Sequence, residues 1–231
     1  MDRLTGVPEL LDGPLDDAAA LVANLRDLSR INRLTGGTRL SEQAIAALGE
    51  PSSILDVGTG GADIPMTLLA HARTRPSRRP LAITAIDSRP EVLAAARRAR
   101  PVIAAAAGLD LALGDGRSLP YPDGAFDIAH ASLVLHHLDR EDAVAFLREL
   151  RRVARSGIVV NDLVRGRLAW VGAWLVVHAI GTSRFTRHDG PLSVRRAWSR
   201  DEIIGLCAAA GLEPIAVVGG LAGHRVAIAA R

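Results

Sequence analysis

The chain has 231 residues, 48% of them hydrophobic but only 3% aromatic, and a net charge of +3. Its single cysteine, Cys207, excludes an internal disulfide framework and a multi-cysteine zinc site, and its apolar content excludes a disordered chain. All 28 basic residues are arginine, so the pI near 10.2 reflects the high pKa of guanidinium rather than a surface built for nucleic acid.

At this length one domain with room for an insert is expected. Residues 1–15 carry Asp2, Asp12 and two prolines and lack an apolar h-region, so no signal peptide is expected. Residues 15–48 are predicted helical, with Leu21, Leu25 and Leu28 at helical spacing and Gly36-Gly37 as an interruption. Apolar strands then alternate with helical patterns. Strands are predicted over 53–57, 81–86, 109–113, 126–131 and 157–160. Helices are predicted from Asp63 to about Ala72, from Pro90 onward, and from about Arg140 to Ala154. Such alternation predicts a parallel sheet with helices on both faces.

After the fifth strand the pattern breaks. Residues 163–198 read as an insert: an apolar helical stretch, then a polar loop over 182–193. The near-uncharged run 168–183 is shorter than the roughly 20 residues a membrane span needs, so a soluble cytoplasmic protein is expected. Ser199-Arg200-Asp201-Glu202 is a capping box that restarts a helix to about Ala210, with Gly211 closing it. Segments 213–218 and 224–229 read as two antiparallel strands across a Gly-rich turn.

The strongest local signal is Ile54-Leu55-Asp56-Val57-Gly58-Thr59-Gly60-Gly61-Ala62-Asp63. A buried strand enters glycines and then a helix, a turn that lets backbone approach a ligand at the carboxyl edge of a sheet. A dinucleotide fingerprint would want glycine at Asp63, where a carboxylate repels a pyrophosphate. With Asp56 it forms an acidic rim suited to a ligand bearing a cationic amino group. Asp87 ends the second strand, placed to accept ribose hydroxyls or to cap the next helix. It lies farther from Gly58 than the usual spacing of about 20 residues, which a lengthened loop over 73–80 accounts for. Gly114-Asp115-Gly116 ends the third strand, with Asp115 placed to accept from an adenine amino group.

Together these residues resemble class I SAM-dependent methyltransferases, and within them the group that includes ubiquinone and menaquinone methyltransferases. The likeness rests on the Asp56-x-Gly58-x-Gly60 loop, Asp87 and Gly114-Asp115. It continues in the run from Leu119-Pro120 through Asp123-Gly124-Ala125-Phe126-Asp127, and in Ser132-Leu133-Val134-Leu135-His136-His137-Leu138. It covers residues 54–162. The 163–200 segment, with His188-Asp189-Gly190-Pro191-Leu192-Ser193, is similar to small bacterial methyltransferases of secondary metabolism, and an arginine- and alanine-rich, lysine-free chain suits a bacterial genome rich in GC.

The resemblance implies an α/β, Rossmann-like doubly wound sheet of seven strands with the last antiparallel. It divides one domain into an N-terminal helical lid (1–50), a cofactor core (51–162), an acceptor-side insert (163–200) and a C-terminal helix and hairpin (201–231). It implies S-adenosylmethionine (SAM) as cofactor, contacted by Asp56, Gly58, Thr59, Gly60, Asp63, Asp87, Ser88, Asp115, Gly116 and Ala131, with Arg33 closing over the cofactor carboxylate beside Arg30 and Asn32. The expected partner is a small molecule, phenolic or lipidic, rather than nucleic acid or an integral membrane contact.

Methyl transfer to a hydroxyl needs alignment, a dry pocket and a proton sink. His136, His178 and His188 are the candidate catalytic residues. Trp170, Trp174 and His178 fall at i, i+4 and i+8, either a core-facing stripe or an aromatic wall over the acceptor. Residues 163–200 hold four of the chain's seven aromatics, which places flat side chains where a flat acceptor would bind. His136-His137 alone lack a convincing ligand set, so no metal site is expected. The acceptor is expected to be a phenolic or polyketide-like hydroxyl, with C-methylation of a quinone-like ring as the nearest alternative. A nucleic-acid methyltransferase and a non-catalytic SAM-binding protein stand further off.

Overall fold

The computed structural model describes residues 1–74 and 80–231. The lengthened loop predicted over 73–80 falls mostly on 75–79, outside the described residues. Seven strands form one sheet, β1 (Ser53–Val57), β2 (Ala82–Asp87), β3 (Leu109–Leu113), β4 (Phe126–Ser132), β5 (Ala154–Leu163), β6 (Pro214–Gly219) and β7 (Arg225–Ala230). Their order is β3-β2-β1-β4-β5-β7-β6, with β1 to β5 parallel and β7 antiparallel to both β5 and β6. The chain reverses direction of travel between β1 and β4, and the crevice at such a switch point is where open α/β sheets bind ligands.

Among the described residues, eight α-helices accompany the sheet: α1 (Ala18–Leu34), α2 (Gly37–Leu48), α3 (Asp63–Arg73), α4 (Pro90–Ala99), α5 (Arg140–Val153), α6 (Arg167–Ile180), α7 (Arg184–Arg196) and α8 (Arg200–Ala209). Alternation along the strands feeds two cores. Leu55 and Val57 of β1 face one, with Phe146, Leu147 and Leu150 of α5 and Leu206 of α8. Ile54 faces the other, with Leu40, Ile45 and Leu48 of α2 and Leu68 of α3. The predicted capping box is present, Ser199 accepting from the Glu202 N–H and Glu202 from the Ser199 N–H.

One segment departs from the predicted pattern. The polar stretch 182–193 is not a loop: Arg184 to Arg196 is helix α7, with Pro191 inside it. Tertiary contacts overcome the proline. Asp27 of α1, buried, accepts from the Thr182 and Ser183 N–H groups and the Thr182 and Thr186 hydroxyls at the start of α7. Burial pushes the Asp27 carboxyl up, and these donors outweigh it, so its pKa ends below the usual range. At Gly190 a Cβ would stand 2.6 Å from Val177 Cγ1, so glycine lets α7 lie close against α6. No helix among the described residues is long and apolar enough to cross a membrane.

Candidate active site

At the carboxyl ends of the central strands the fold leaves a cavity of about 1000 Å³, large enough for a cofactor and a second small molecule. Gly58 (φ +71°) and Gly60 (φ +53°) turn the chain out of β1. A Cβ on Gly58 would stand 2.6 Å from Val134 Cγ2, so only glycine leaves that space open. The Thr59 N–H donates to the Ile86 carbonyl and the Gly60 N–H to Asp87 Oδ2 at 3.1 Å. Asp87 Oδ1 accepts from the Arg89 N–H at 3.0 Å, so one carboxylate holds the glycine loop and the entry to α4. Burial raises the Asp87 pKa.

The residues present fit SAM. Thr59 Oγ1 and Asn24 Oδ1 are buried, have no hydrogen-bond partner, and belong to residues lining the cavity. Such orphaned groups are costly unless a ligand engages them. Asp56, Gly58, Thr59, Gly60, Asp63, Asp87, Ser88, Asp115 and Gly116, the residues expected to contact the cofactor, all line it. Asp115 is half exposed and clasped by its neighbour Arg117 at 3.1 Å.

Two predicted cofactor residues lie elsewhere. Arg33 is on the exposed face of α1 and does not line the cavity. Ala131 packs into the core beside Leu55 and Val57, and the residues after it, Ser132, Leu133 and Val134, line the cavity instead. Leu133 holds φ +60°, an uncommon conformation for a side chain of its size, fixed by its N–H donating to the Asn161 carbonyl.

The buried cation of the cavity is Arg225, the first residue of β7. Its guanidinium donates to Asn161 Oδ1, Asn32 Oδ1 and Ser132 Oγ at 2.6, 2.6 and 2.7 Å. Burial lowers its pKa to about 10. Asn32 in turn donates to Asp63 at 3.0 Å. A lone arginine opening an apolar strand was the available signal for it. Behind this network His130 lies 2.5 Å from Asp56 and 2.8 Å from Ser41, fully buried. It is a satisfied core histidine that braces the tip of β1.

The insert covers the cavity, but not with its aromatics. From α6 the lining residues are Leu168, Ala169, Gly172, Ala173, Val176 and Val177. Trp170, Trp174 and His178 occupy the opposite, outer face: Trp174 is 45% exposed and stacks on His178 with ring centroids 4.5 Å apart. They are neither core stripe nor acceptor wall. Trp198 is buried and donates to the Leu135 carbonyl, and Phe185 packs beneath α1 and α4. His188 is half exposed, lies 2.7 Å from Asp189, and stands outside the cavity. Of the three candidate catalytic histidines only His136 lines it.

His136 is buried, with Nδ1 2.7 Å from Asp162 Oδ1. Glu9, a residue with no sequence signal, reaches it from the N-terminal segment. Burial pushes the Glu9 carboxyl up to about 7. Glu9, His136 and His137 converge on one wall of the cavity, a constellation the adjacent histidines alone did not suggest.

Residues 55–160 match the methyltransferase domain family. The chain is 35% identical over 115 residues to ajmaline N-methyltransferase of Rauvolfia serpentina, covering 48% of this chain and 35% of that protein. It is 34% identical over 168 residues to an uncharacterised 37.1 kDa protein of transposon TN4556 from Streptomyces fradiae, covering 72% of this chain and 45% of that one. The chain thus spans less than half the length of the curated relatives it matches. Human N-acetylserotonin methyltransferase in complex with SAM superposes with a TM-score of 0.66 over 96% of this chain and 60% of that one, at 16% identity, a likeness of fold.

Proposed function

We propose that this chain, which carries a methyltransferase domain over residues 55–160 on a class I methyltransferase fold, transfers a methyl group from SAM to the hydroxyl of a small phenolic or polyketide-like acceptor. The observation that carries the reading is a single cavity lined both by the glycine loop with Asp87 and by a buried histidine braced on a carboxylate.

Asp87 and Asp115 take the hydroxyl and amino groups of the nucleoside, and the loop at Gly58 and Gly60 leaves room for backbone contact. Asp56 and Asp63 offer negative charge to the ammonium group, and Arg225 offers the buried positive charge for the carboxylate. SAM, when bound, supplies an electrophilic methyl carbon on a sulfonium. Residues of α1, α6 and α7 line the rest of the cavity with Leu, Val and Ala and exclude water from the acceptor. With SAM bound, the acceptor oxygen would displace the thioether from that methyl carbon, so the residues around them have to align the two and receive one proton. The acceptor's proton passes to the Glu9–His136 face. An Nδ1–H donated to Asp162 turns Nε2 of His136 toward Glu9 and the cavity, the side from which a proton would reach it. Methylation of a ring carbon would use the same cofactor contacts and need less of a base.

The test is calorimetric binding of S-adenosylhomocysteine and of NAD, followed by transfer of label from methyl-labelled SAM to a panel of phenols. Micromolar binding of the first, none of the second, and labelled ethers are expected. Tighter binding of NAD would overturn the reading, and label confined to carbon would move it to ring methylation.

A further inference from the structure

His136 and His137 are neighbours in sequence, yet each has a carboxylate behind it and both turn the other ring nitrogen to one point. His137 Nδ1 lies 2.8 Å from Asp12 Oδ1, matching the His136–Asp162 pair. The two Nε2 atoms stand 3.7 Å from Glu9 Oε1 and 3.8 Å from Glu9 Oε2. These separations are too long for hydrogen bonds. They suit ligands of a common ion, since donors about 2.1 Å from a tetrahedral metal are roughly 3.4 Å apart. The three ligand atoms lie within 4.8 Å of one another. A carboxylate on Nδ1 is also the arrangement that fixes the tautomer of a metal-ligating histidine and strengthens Nε2 as a donor.

The surrounding charge points the same way. Asp12, Asp162 and Asp189 crowd the cluster together with Glu9. Arg196 contacts Asp12 at 2.6 Å and stays 3.7 Å from Glu9, while Asp189 takes the N–H groups of Leu10 and Leu11. Ser193 donates to Glu9 Oε1 at 2.9 Å and orients the carboxyl group. Four carboxyl groups therefore gather around the two imidazoles, and Arg196 is in close contact with Asp12 alone of the four, an arrangement that a divalent cation would balance.

We propose that Glu9, His136 and His137 form a site for one divalent transition-metal ion of the zinc class. Two imidazoles and one carboxylate favour such an ion over magnesium or calcium, which take oxygen ligands. Three protein ligands leave a fourth tetrahedral position, and the adjoining cavity gives it access to a small molecule. On the methyltransferase reading, on which this last step rests, the acceptor hydroxyl would bind at that position and release its proton to solvent water, and the ion, in place of a proton on His136, would offset the charge of the resulting oxyanion.

The experiment is competition of Zn²⁺ between chelator-stripped protein and a chromophoric chelator, with Co²⁺ absorption as a measure of tetrahedral geometry. Wild type should bind one ion per chain. Glu9→Gln and His137→Ala should each weaken binding at least about tenfold, whereas His71→Ala, which removes a surface histidine paired with Glu42, should change nothing. Absence of binding, equal binding in Glu9→Gln and His137→Ala, or loss of binding in His71→Ala would each overturn the site. S-adenosylhomocysteine affinity measured on the same samples confirms folding and separates the two readings: retained cofactor binding without metal sinks the metal site alone, and metal binding without cofactor binding sinks the methyltransferase reading alone.

Discussion

The Gly60 amide donates to Asp87 across 3.1 Å, so the tip of β2 holds the loop that leaves β1. Asp87 therefore shapes the glycine loop, and in the proposed function it also offers oxygens to a ribose. Replacing it removes both functions. Asp87→Ala should weaken S-adenosylhomocysteine binding at least about thirtyfold, the size of one or two charge-assisted hydrogen bonds. Asp87→Asn keeps one acceptor oxygen and should fall between. Calorimetry showing wild-type affinity for the alanine variant would take Asp87 out of the site.

Gly58 and Val134 make a second, steric test. A Cβ on Gly58 meets Val134 Cγ2 at 2.6 Å, and the residue holds φ +71°. Gly58→Ala should cost about 1–2 kcal/mol of stability and weaken cofactor binding. Adding Val134→Ala removes the clash but not the backbone strain. The double variant should recover part of the loss, and a denaturant-based double-mutant cycle measures how much. Purely additive losses would show that the two side chains do not compete for this space.

The histidines divide by placement. His136→Ala should reduce kcat on a phenol about a hundredfold while S-adenosylhomocysteine affinity holds. His178→Ala and His188→Ala should stay within about twofold of wild type, because both side chains lie outside the cavity. Trp170→Ala and Trp174→Ala should likewise leave the acceptor KM unchanged. Steady-state kinetics on the five variants would reverse this assignment if the tryptophan or His178 changes proved the damaging ones.

Acid stability should depend on Asp127. Burial alone would raise this carboxyl, but the hydroxyl and N–H of Ser52, the N–H of Ser53 and nearby Arg155 outweigh it and bring the pKa to about 2. A folded-state pKa below the ordinary 3.8 means the folded form binds fewer protons there. That stability is present above pH 4 and is lost as pH falls through 2. At neutral pH it amounts to about 2 kcal/mol. Asp127→Asn should be less stable than wild type near pH 7, and the gap should close as pH falls from 4 to 2. Urea denaturation across that range checks it, and a gap constant with pH would exclude the linkage.

Every strand and every helix up to α5 was legible in the chain, because each is written in local terms: alternation, a turn glycine, a capping serine, a proline at a first turn. The glycine turn after β1 was legible for the same reason, since a strand tip and its glycines are neighbours in sequence. Legibility failed at α7, where Gly190-Pro191 reads as a break. The donors that Asp27 accepts and the close approach of Val177 come from other elements.

The sequence by itself determined the α/β sheet, the antiparallel end, and the acidic and glycine-rich tips at Asp56, Gly58, Gly60 and Asp87. Only the tertiary structure decided what fills the rest of the cavity. The periodicity of α6 places Trp170, Trp174 and His178 on one stripe but does not say which stripe meets a neighbour. α6 packs on α7 where Val177 meets Gly190, and in that orientation the tryptophans face outward while Gly172, Ala173 and Val176 face the cavity. In the same way His136 and His137 became a site only when Glu9 and Asp12 arrived from over a hundred residues away. Local patterns specify which residues share a face, while burial and charge are settled between faces, where no single stretch of sequence holds both partners.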